Sequence, residues 1–385
     1  MDAQVKQTVE FLVNECAGYI KSDNFQWDKD TKMVSVWFRH SDAEIDIPRD
    51  EFLQAIDEFK SLKTSDDGAF VRTSRRTLRI VAPVSVSAHT IDQSDVNLTM
   101  KLGSGVVISF IPVSLWVTIA ALKAGAFEAD VMPAEAYGSI ELFYLLSANK
   151  MSEKEEEEAI DTFLFELAAS ENFVFQKTEF LGSDTWDIDE GETEAPPKFR
   201  PLEPFNEGMR LFNAAVPVED AELRLLSLFK VLEFFAPIVL ALDSIESLRK
   251  KLDSPLALSP DANYLKSIID LVRSLDERRN DNQMIRLLFE TCLDFVELST
   301  LLPRPHFKEL KYGDKKSDIE AQSKAAAEAL VATRNQVAHA KSDYRPTGVE
   351  LPLEELSDFN VFLEAAAVQT IRWYNRLPVH LKLKL

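Results

Sequence analysis

Cysteine and histidine are both scarce in this sequence. Its 385 residues include two cysteines, Cys16 and Cys292, and no CxxC pair, which argues against a disulfide framework and a cysteine-based zinc site. The five histidines form no HExxH motif, and His89 and His306 have no partner at metal-ligand spacing. We therefore expect no metal and no cofactor, and free thiols fit the reducing cytoplasm.

Glycine is also sparse, with 11 residues in the whole chain. One close pair occurs in the segment LGSGVV (102–107), between two runs typical of strands. It lacks the lysine and the third glycine that a phosphate loop or a dinucleotide fingerprint requires. The pair therefore predicts a hairpin or a bulge and no nucleotide-binding loop.

Positive charge is in deficit, since 43 Lys and Arg face 64 Asp and Glu and the net charge is −21. Such a field repels polyanions and argues against a protein that coats nucleic acid without specificity, although a small basic pocket remains compatible with it. The densest basic cluster is Arg72, Arg75, Arg76 and Arg79. We interpret it as solvated arginines on an exposed strand. A strand face that meets phosphate is the alternative.

Two apolar segments could suggest a membrane or a leader sequence. The first twenty residues contain acids among their apolar positions and do not have the layout of a signal peptide. Segment 106–126 is apolar but is interrupted by Pro112 and ended by Lys123. It predicts a buried strand, a turn and a helix that begins near Ser114, so we expect no membrane span.

The composition divides the chain into two domains. Segment 182–208 is acidic and then rich in proline, which predicts a linker or a long surface loop. Residues 1–181 alternate helical and strand-like patterns and predict an α+β domain with a largely antiparallel sheet. Residues 209–385 have helical periodicity almost throughout and predict an all-α bundle of five or six helices.

Several elements of the first domain can be placed from the sequence. Helices are predicted at 5–20 and 50–62, and long strands at 70–89 and 96–110. Shorter strands are predicted in MVSVWF, AEIDIP and SIELFYLLS. Ser152 and Glu155 form a capping box, so the acids that follow Ser152 are interpreted as the solvated start of a helix.

The second domain contains one segment that is typical of a catalytic site. Segment 221–242 is apolar on nearly all sides and predicts a central buried helix that carries Glu233. A later alanine-rich helix continues into RNQVAHAKSD, which starts at Arg334 and contains Asn335 and His339. A histidine where a helix breaks can reach solvent and titrate near neutral pH, as a general acid or base must.

RNQVAHAKSD, together with FKVLEFFAP about a hundred residues upstream, resembles the HEPN superfamily (higher eukaryotes and prokaryotes nucleotide-binding). The similarity is to the subgroup found in the C-terminal half of bacterial defence proteins, and it covers about 206–380. It implies an R-N-x-x-x-H motif on a late helix and an acidic residue on an early one. Residues 1–181 resemble no family that we can name.

The resemblance implies a role for each matching residue. His339 would move a proton, Arg334 would bind phosphate and stabilise its developing charge, and Asn335 would orient the substrate. Glu233 would be a buried carboxylate partnered by Arg334. Lys341 and Arg345 are possible RNA contacts. The family also implies a homodimer through the helical domain, so that two copies of the motif line one cleft.

The resemblance implies a cytoplasmic, metal-independent endoribonuclease of bacterial antiphage defence (abortive infection), or a toxin, that acts on an RNA substrate. The N-terminal domain would sense a trigger or partner, such as a phage-derived protein. An alternative from another class is a non-catalytic HEPN binding or scaffold module that pairs with another effector protein. In that alternative, the Arg-Asn-His set ties helix ends together.

Overall fold

The structure is a computed structural model that divides the chain into two compact units, Met1–Leu202 and Glu203–Leu385. Of the predicted linker 182–208, residues 182–198 lie outside the described part, and a helix begins at Glu207. The residues described are 2–16, 20–37, 44–85, 88, 98–103, 105–124, 138–145, 148–179, 199–277, 280–313, 315–338 and 345–382.

The first unit contains two antiparallel sheets. The smaller sheet consists of β1 (Phe25–Asp28), β2 (Met33–Trp37) and β3 (Glu44–Pro48), in that order. The larger sheet consists of β4 (Lys63–Thr64), β5 (Phe70–Arg72), β6 (Arg76–Pro83), β7 (Thr99–Leu102), β8 (Val106–Ile111), β9 (Gly138–Tyr144) and β10 (Phe175–Lys177). Its order is β4-β5-β6-β9-β8-β7, with β10 beside β6. The predicted α+β class with antiparallel sheets is confirmed.

Both long strands of the prediction are divided by turns. Segment 70–89 becomes β5 and β6, because the hydroxyl of Thr73 accepts a hydrogen bond from the backbone N–H of Arg76 at 3.0 Å and closes a turn. Segment 96–110 contains the β7–β8 hairpin, as LGSGVV predicted. Gly105 in its turn has φ +78°, a left-handed conformation that favours glycine.

Helices cover both faces of the larger sheet. On one face, Leu78 and Ile80 share a core with Ile119. On the other face, Ile140 and Phe163 belong to a second core. Among the described residues of this unit, the α-helices are α1 (Ala3–Glu15), α2 (Arg49–Phe52), α3 (Ala55–Ser61), α4 (Leu115–Ala124) and α5 (Glu153–Glu171).

Three local predictions of the first unit can be compared with these elements. The helix predicted at 50–62 is broken between Phe52 and Ala55 into α2 and α3. Segment 106–126 forms β8 and then α4, so the predicted strand, turn and helix near Ser114 are confirmed. Helix α5 begins with the predicted capping box of Ser152 and Glu155.

The arginine cluster is not solvated, and that interpretation was wrong for Arg76. Its side chain is 7% exposed, and Nη1 lies 2.7 Å from Oε1 of Glu141. Nε lies 3.0 Å from Oε2 of Glu58, and Nη2 contacts Glu51. Arg76 is shielded from water because its guanidinium lies among carboxylates of α2, α3 and β9.

The acidic start of α5 is also less solvated than predicted. Glu156 is buried, and its Oε1 accepts hydrogen bonds from Thr77 at 2.8 Å and from the Tyr144 hydroxyl at 2.6 Å. Arg72 adds an ion pair with Oε2 at 3.4 Å. Burial and the nearby Glu156 carboxylate both raise the pKa of Tyr144. The run therefore combines exposed acids with one carboxylate that holds α5 against the sheet.

The second unit is helical, with no strand among its described residues. Its α-helices are α6 (Glu207–Ala215), α7 (Ala221–Leu252), α8 (Ala262–Glu277), α9 (Asp281–Cys292), α10 (Phe295–Leu298), α11 (Lys316–Ala338) and α12 (Leu356–Arg376). Helix α7 packs against α6, α9, α11 and α12 and is central, as predicted. This confirms an all-helical second unit, with seven described α-helices where five or six were predicted. Its HEPN-like character stays a prediction.

Helix α7 is long and apolar enough to cross a membrane, but a core helix passes the same test. Phe229, Leu232 and Phe235 are buried against neighbouring helices, which is typical of a core helix. The expectation that α7 is buried on nearly all sides was wrong. Lys230 and Glu233 are exposed and lie three residues apart, on one side of the helix.

Candidate functional site

The candidate site lies where α11 packs against α7. Ala326, Ala327, Leu330 and Val331 are buried and form the face that fixes α11 in the bundle. Near its end, the Thr333 hydroxyl donates to the carbonyl of Ala329 at 2.7 Å and accepts from the backbone N–H of Leu351 at 2.9 Å. Thr333 thus ties the segment around Leu351, which follows the motif in the sequence, to the end of α11.

Arg334 follows Thr333 and is contacted on three sides. Its Nη1 donates a hydrogen bond to Oδ1 of Asn335 at 2.9 Å. Its Nη2 lies 3.7 Å from Oε1 of Glu233. The guanidinium carbon lies 4.9 Å from the ring centroid of Phe229, a cation–π contact. Phe229 and Glu233 are four residues apart on α7, so they share one face of that helix.

The pairing of Glu233 with Arg334 was expected, but the burial of Glu233 was not observed. The Glu233 side chain is 49% exposed and that of Arg334 is 26% exposed. At 3.7 Å the contact is an ion pair and is too long for a hydrogen bond. Exposed pairs contribute about 0–1 kcal/mol, so this contact positions Arg334 more than it stabilises the fold.

The arrangement leaves Arg334 able to bind an anion. A guanidinium carries five N–H donors, and the hydrogen bond to Asn335 uses one of them. The carboxylate of Glu233 is too distant and too hydrated to neutralise the charge fully. Phe229 and Glu233 restrict where the guanidinium can move. A positioned, partly exposed guanidinium of this kind suits bidentate recognition of phosphate.

The other predicted residues are only partly placed. His339 and Lys341 lie outside the described residues, and His339 directly follows the last residue of α11, Ala338. Arg345 is described and exposed. The structure therefore brings together Arg334, Asn335 and Glu233 and gives no position for the histidine.

Phe229 is the contact that sequence reasoning missed. It begins the segment FKVLEFFAP and lies four residues, about one helical turn, before Glu233. That spacing could have identified it, because residues four apart on a helix face the same neighbour. An aromatic ring beneath an arginine is a common way to fix a guanidinium plane.

No group of three or more His, Cys, Asp or Glu side chains that could hold a metal occurs in the described part of the chain. Cys16 and Cys292 are free and buried, and burial raises the pKa of both thiols. Among the described residues, the functional groups of the site are the guanidinium of Arg334, the amide of Asn335 and the carboxylate of Glu233.

Scanning against protein-family models, curated proteins and solved structures found no match for this chain.

Proposed function

We propose that the second unit is a metal-independent endoribonuclease of HEPN type. The observation that carries the proposal is the position of Arg334, which Phe229, Glu233 and Asn335 hold at the end of α11. His339 is the next residue after this helix. RNA cleavage without a metal needs a group that transfers protons and a cation that stabilises the phosphate, and an imidazole and a guanidinium can supply them.

In the proposed reaction, the 2′-oxygen of a ribose attacks the adjacent phosphorus and the 5′-oxygen of the next nucleotide leaves. His339 takes the proton of the 2′-hydroxyl, and an imidazolium returns a proton to the leaving oxygen. Arg334 binds the phosphate oxygens while negative charge develops on them. The products are a 2′,3′-cyclic phosphate and a 5′-hydroxyl, so no water and no metal take part in this step.

The reaction needs a base and an acid at the same time, and one imidazole cannot be both. A homodimer that brings two copies of His339 to one cleft supplies both groups, which is why we propose a dimer through the helical unit. The net charge of −21 disfavours a broad RNA-binding surface. RNA would therefore be bound locally, by the side chains of Arg334, Lys341 and Arg345.

The biological role that we propose is bacterial antiphage defence, by abortive infection, or action as a toxin, in the cytoplasm. The α+β unit would sense a protein or phage-derived trigger. RNA cleavage in the absence of the trigger would then be low, and overexpression would be the practical way to reveal it.

A second candidate function is a non-catalytic binding or scaffold module. It is favoured by one observation, the bridge that Arg334 makes between two helices through Phe229 and Glu233. Such a bridge can serve packing alone, since cation–π contacts at partly exposed sites stabilise by about 0.5–1 kcal/mol. In this case the motif residues would affect stability or partner binding but not RNA.

Expression in a bacterial host distinguishes the two candidates. The wild-type chain is expected to stop growth and fragment cellular RNA, whereas His339→Ala and Arg334→Ala restore growth at equal protein levels. Lys324→Ala is the matched control, since it removes an exposed cation from the same helix and should leave toxicity unchanged. Equal toxicity of wild type and His339→Ala, or intact RNA in growth-arrested cells, would favour the scaffold.

A further inference from the structure

The first unit contains a cavity of about 300 Å³ that the proposed function does not use. It lies between the larger sheet and a wall made by β3, α2 and the start of α4. This volume is at the lower end of the range for small-molecule sites and equals that of about ten waters. All of its described lining belongs to the first unit.

A row of polar side chains forms the floor of the cavity. Ser109 pairs with Glu141 across β8 and β9, and Thr99 pairs with Ser109 across β7 and β8. Directly paired residues share one face of a sheet, so these three side chains point to the same side. That side is the cavity, since all three line it together with Val107 and Phe143 from the same strands.

Two hydroxyl groups at the cavity have no partner. Ser109 and Ser114 are 6% and 4% exposed, and within the described chain neither hydroxyl makes a hydrogen bond. Glu141 is similarly buried, and only its Oε1 is used, by Nη1 of Arg76. None of these three oxygens is among the side-chain atoms sealed from solvent without a partner, so they open onto the cavity, where a ligand with N–H donors would complete their hydrogen bonds.

The charge around the cavity is unbalanced. Arg76 is one cation and contacts three carboxylates, those of Glu51, Glu58 and Glu141. Asp46 also lines the cavity, but it is exposed, and its carboxylate accepts a hydrogen bond from the Ser35 hydroxyl. Buried carboxylates in excess of their cations are costly unless a proton or another positive group neutralises them. Burial raises the pKa of Glu141, and the nearby Glu51 and Glu58 add to the rise while Arg76 opposes it.

The remaining wall is apolar, and this restricts the ligand further. A bare metal ion would need about six oxygen ligands, whereas the carboxylates here are committed to Arg76. An ion with an apolar body would fill the space that a metal leaves empty. The apolar lining includes Ile45, Ile47, Val107, Ile111, Val113 and Trp116.

We propose that this cavity binds a small organic cation, with an ammonium or guanidinium group at Glu141, Ser109 and Ser114 and an apolar body against Trp116 and its neighbours. The head group would donate hydrogen bonds to the free carboxylate oxygen and to both hydroxyls. Its charge would balance the excess carboxylate. The same chemistry belongs to a free amine and to a lysine or arginine side chain of a peptide.

Calorimetry and thermal unfolding of the full chain test this proposal with matched probes. Hexylammonium and hexylguanidinium are expected to bind and to raise the Tm. Hexanol and hexanoate should bind at least about tenfold more weakly, since they lose the charged hydrogen bond or bring the wrong charge. A lysine-containing hexapeptide is the third probe. Tighter binding of this peptide than of hexylammonium would show that the natural ligand is a peptide side chain.

Variants separate the site from general stability. Glu141→Gln keeps the shape of the side chain and removes its charge, and Ser109→Val removes one hydroxyl without disturbing Arg76. Each is expected to weaken hexylammonium binding by about tenfold or more. Ser323→Ala, at a buried serine of the second unit, is the control and should bind as wild type does.

Equal binding of hexanol and hexylammonium would overturn the proposal, as would binding unchanged in Ser109→Val. Binding of Mg²⁺ alone, or of no probe at millimolar concentration, would overturn it as well. None of these outcomes depends on RNA cleavage, so the proposed cation site and the proposed nuclease activity are tested independently.

Discussion

Arg76 and Arg334 represent two uses of arginine in one chain. Arg76 is 7% exposed and contacts three carboxylates, two of them at 2.7 and 3.0 Å. Arg334 is 26% exposed and has one carboxylate at 3.7 Å. The first guanidinium is committed to the fold and leaves carboxylate in excess. The second is positioned by weak contacts and keeps charge and donors for a ligand, so the two sites should attract opposite ions.

The largest effect on stability is expected for Arg76→Met. Removing the cation leaves Glu51, Glu58 and Glu141 without their partner in a buried site, which should lower the free energy of unfolding by about 3–5 kcal/mol. Urea denaturation measures this loss, with Arg286→Met, at a partly exposed arginine, as the control. A loss below about 1 kcal/mol would show that Arg76 is no more important to the fold than Arg334.

The next largest effect is expected for Gly208→Ala, which concerns packing in the second unit. An added Cβ would lie 2.4 Å from the ring of Phe235, so a buried aromatic must move. Overpacking of this kind costs about 1–3 kcal/mol. Gly103→Ala is the control, since a Cβ there meets nothing within 4 Å. Equal Tm values for both variants would contradict the tight contact.

The pH dependence of the free energy of unfolding of Glu141→Gln tests whether the carboxylates around Arg76 are in excess. Burial raises the pKa of Glu141 above its ordinary value of 4.5, with Arg76 opposing and Glu51 and Glu58 adding to the rise. The stability gained from the protonated carboxyl is therefore present below about pH 4.5 and is lost as the pH rises through the raised pKa.

Glutamine cannot ionise, so Glu141→Gln should gain stability relative to wild type as the pH increases from 4.5 to 8. Urea unfolding at several pH values gives this difference directly. A difference that is constant across the range would mean that Glu141 stays ionised throughout.

The smallest effect on stability is expected for Arg334→Ala. Its ion pair with Glu233 and its contact with Phe229 together should contribute about 0.5–2 kcal/mol. Urea denaturation is the measurement, and Arg334→Lys serves as the conservative comparison. A loss of several kcal/mol would show that Arg334 is important to the fold and is not merely positioned by weak contacts.

Local patterns in the sequence were sufficient for much of the fold. Alternation in AEIDIP predicted β3, and the Ser152 and Glu155 pair predicted the start of α5. The glycine pair in LGSGVV predicted the β7–β8 hairpin. Each of these signals involves residues that are close along the chain, which is why sequence periodicity reveals them.

The burial of Arg76 could not be predicted in this way. Its partners Glu58, Glu51 and Glu141 are 18, 25 and 65 residues away, and nothing in the local pattern of β6 indicates them. The same limit applies to the cavity, whose polar row needs the register of three strands. Sequence composition gives the number of charged residues, but it does not tell which of them lie in contact in the folded protein.

The candidate site was predicted by a different route. The pairing of Arg334 with Glu233 came from the family resemblance, and the structure places the two side chains 3.7 Å apart. The exposure of Glu233 was missed, because it depends on which helices cover α7. The role of His339 stays a prediction, since that residue lies outside the described part of the chain.

The central claim is that a guanidinium held at the end of α11 and the histidine after it cut RNA without a metal. The most direct measurement is the cleavage rate of RNA by purified protein in EDTA, for wild type and His339→Ala side by side. We expect wild type to produce 2′,3′-cyclic phosphate ends and the variant to be slower by about 10²–10⁴-fold. Equal rates for the two proteins, or cleavage that EDTA abolishes, would contradict the account.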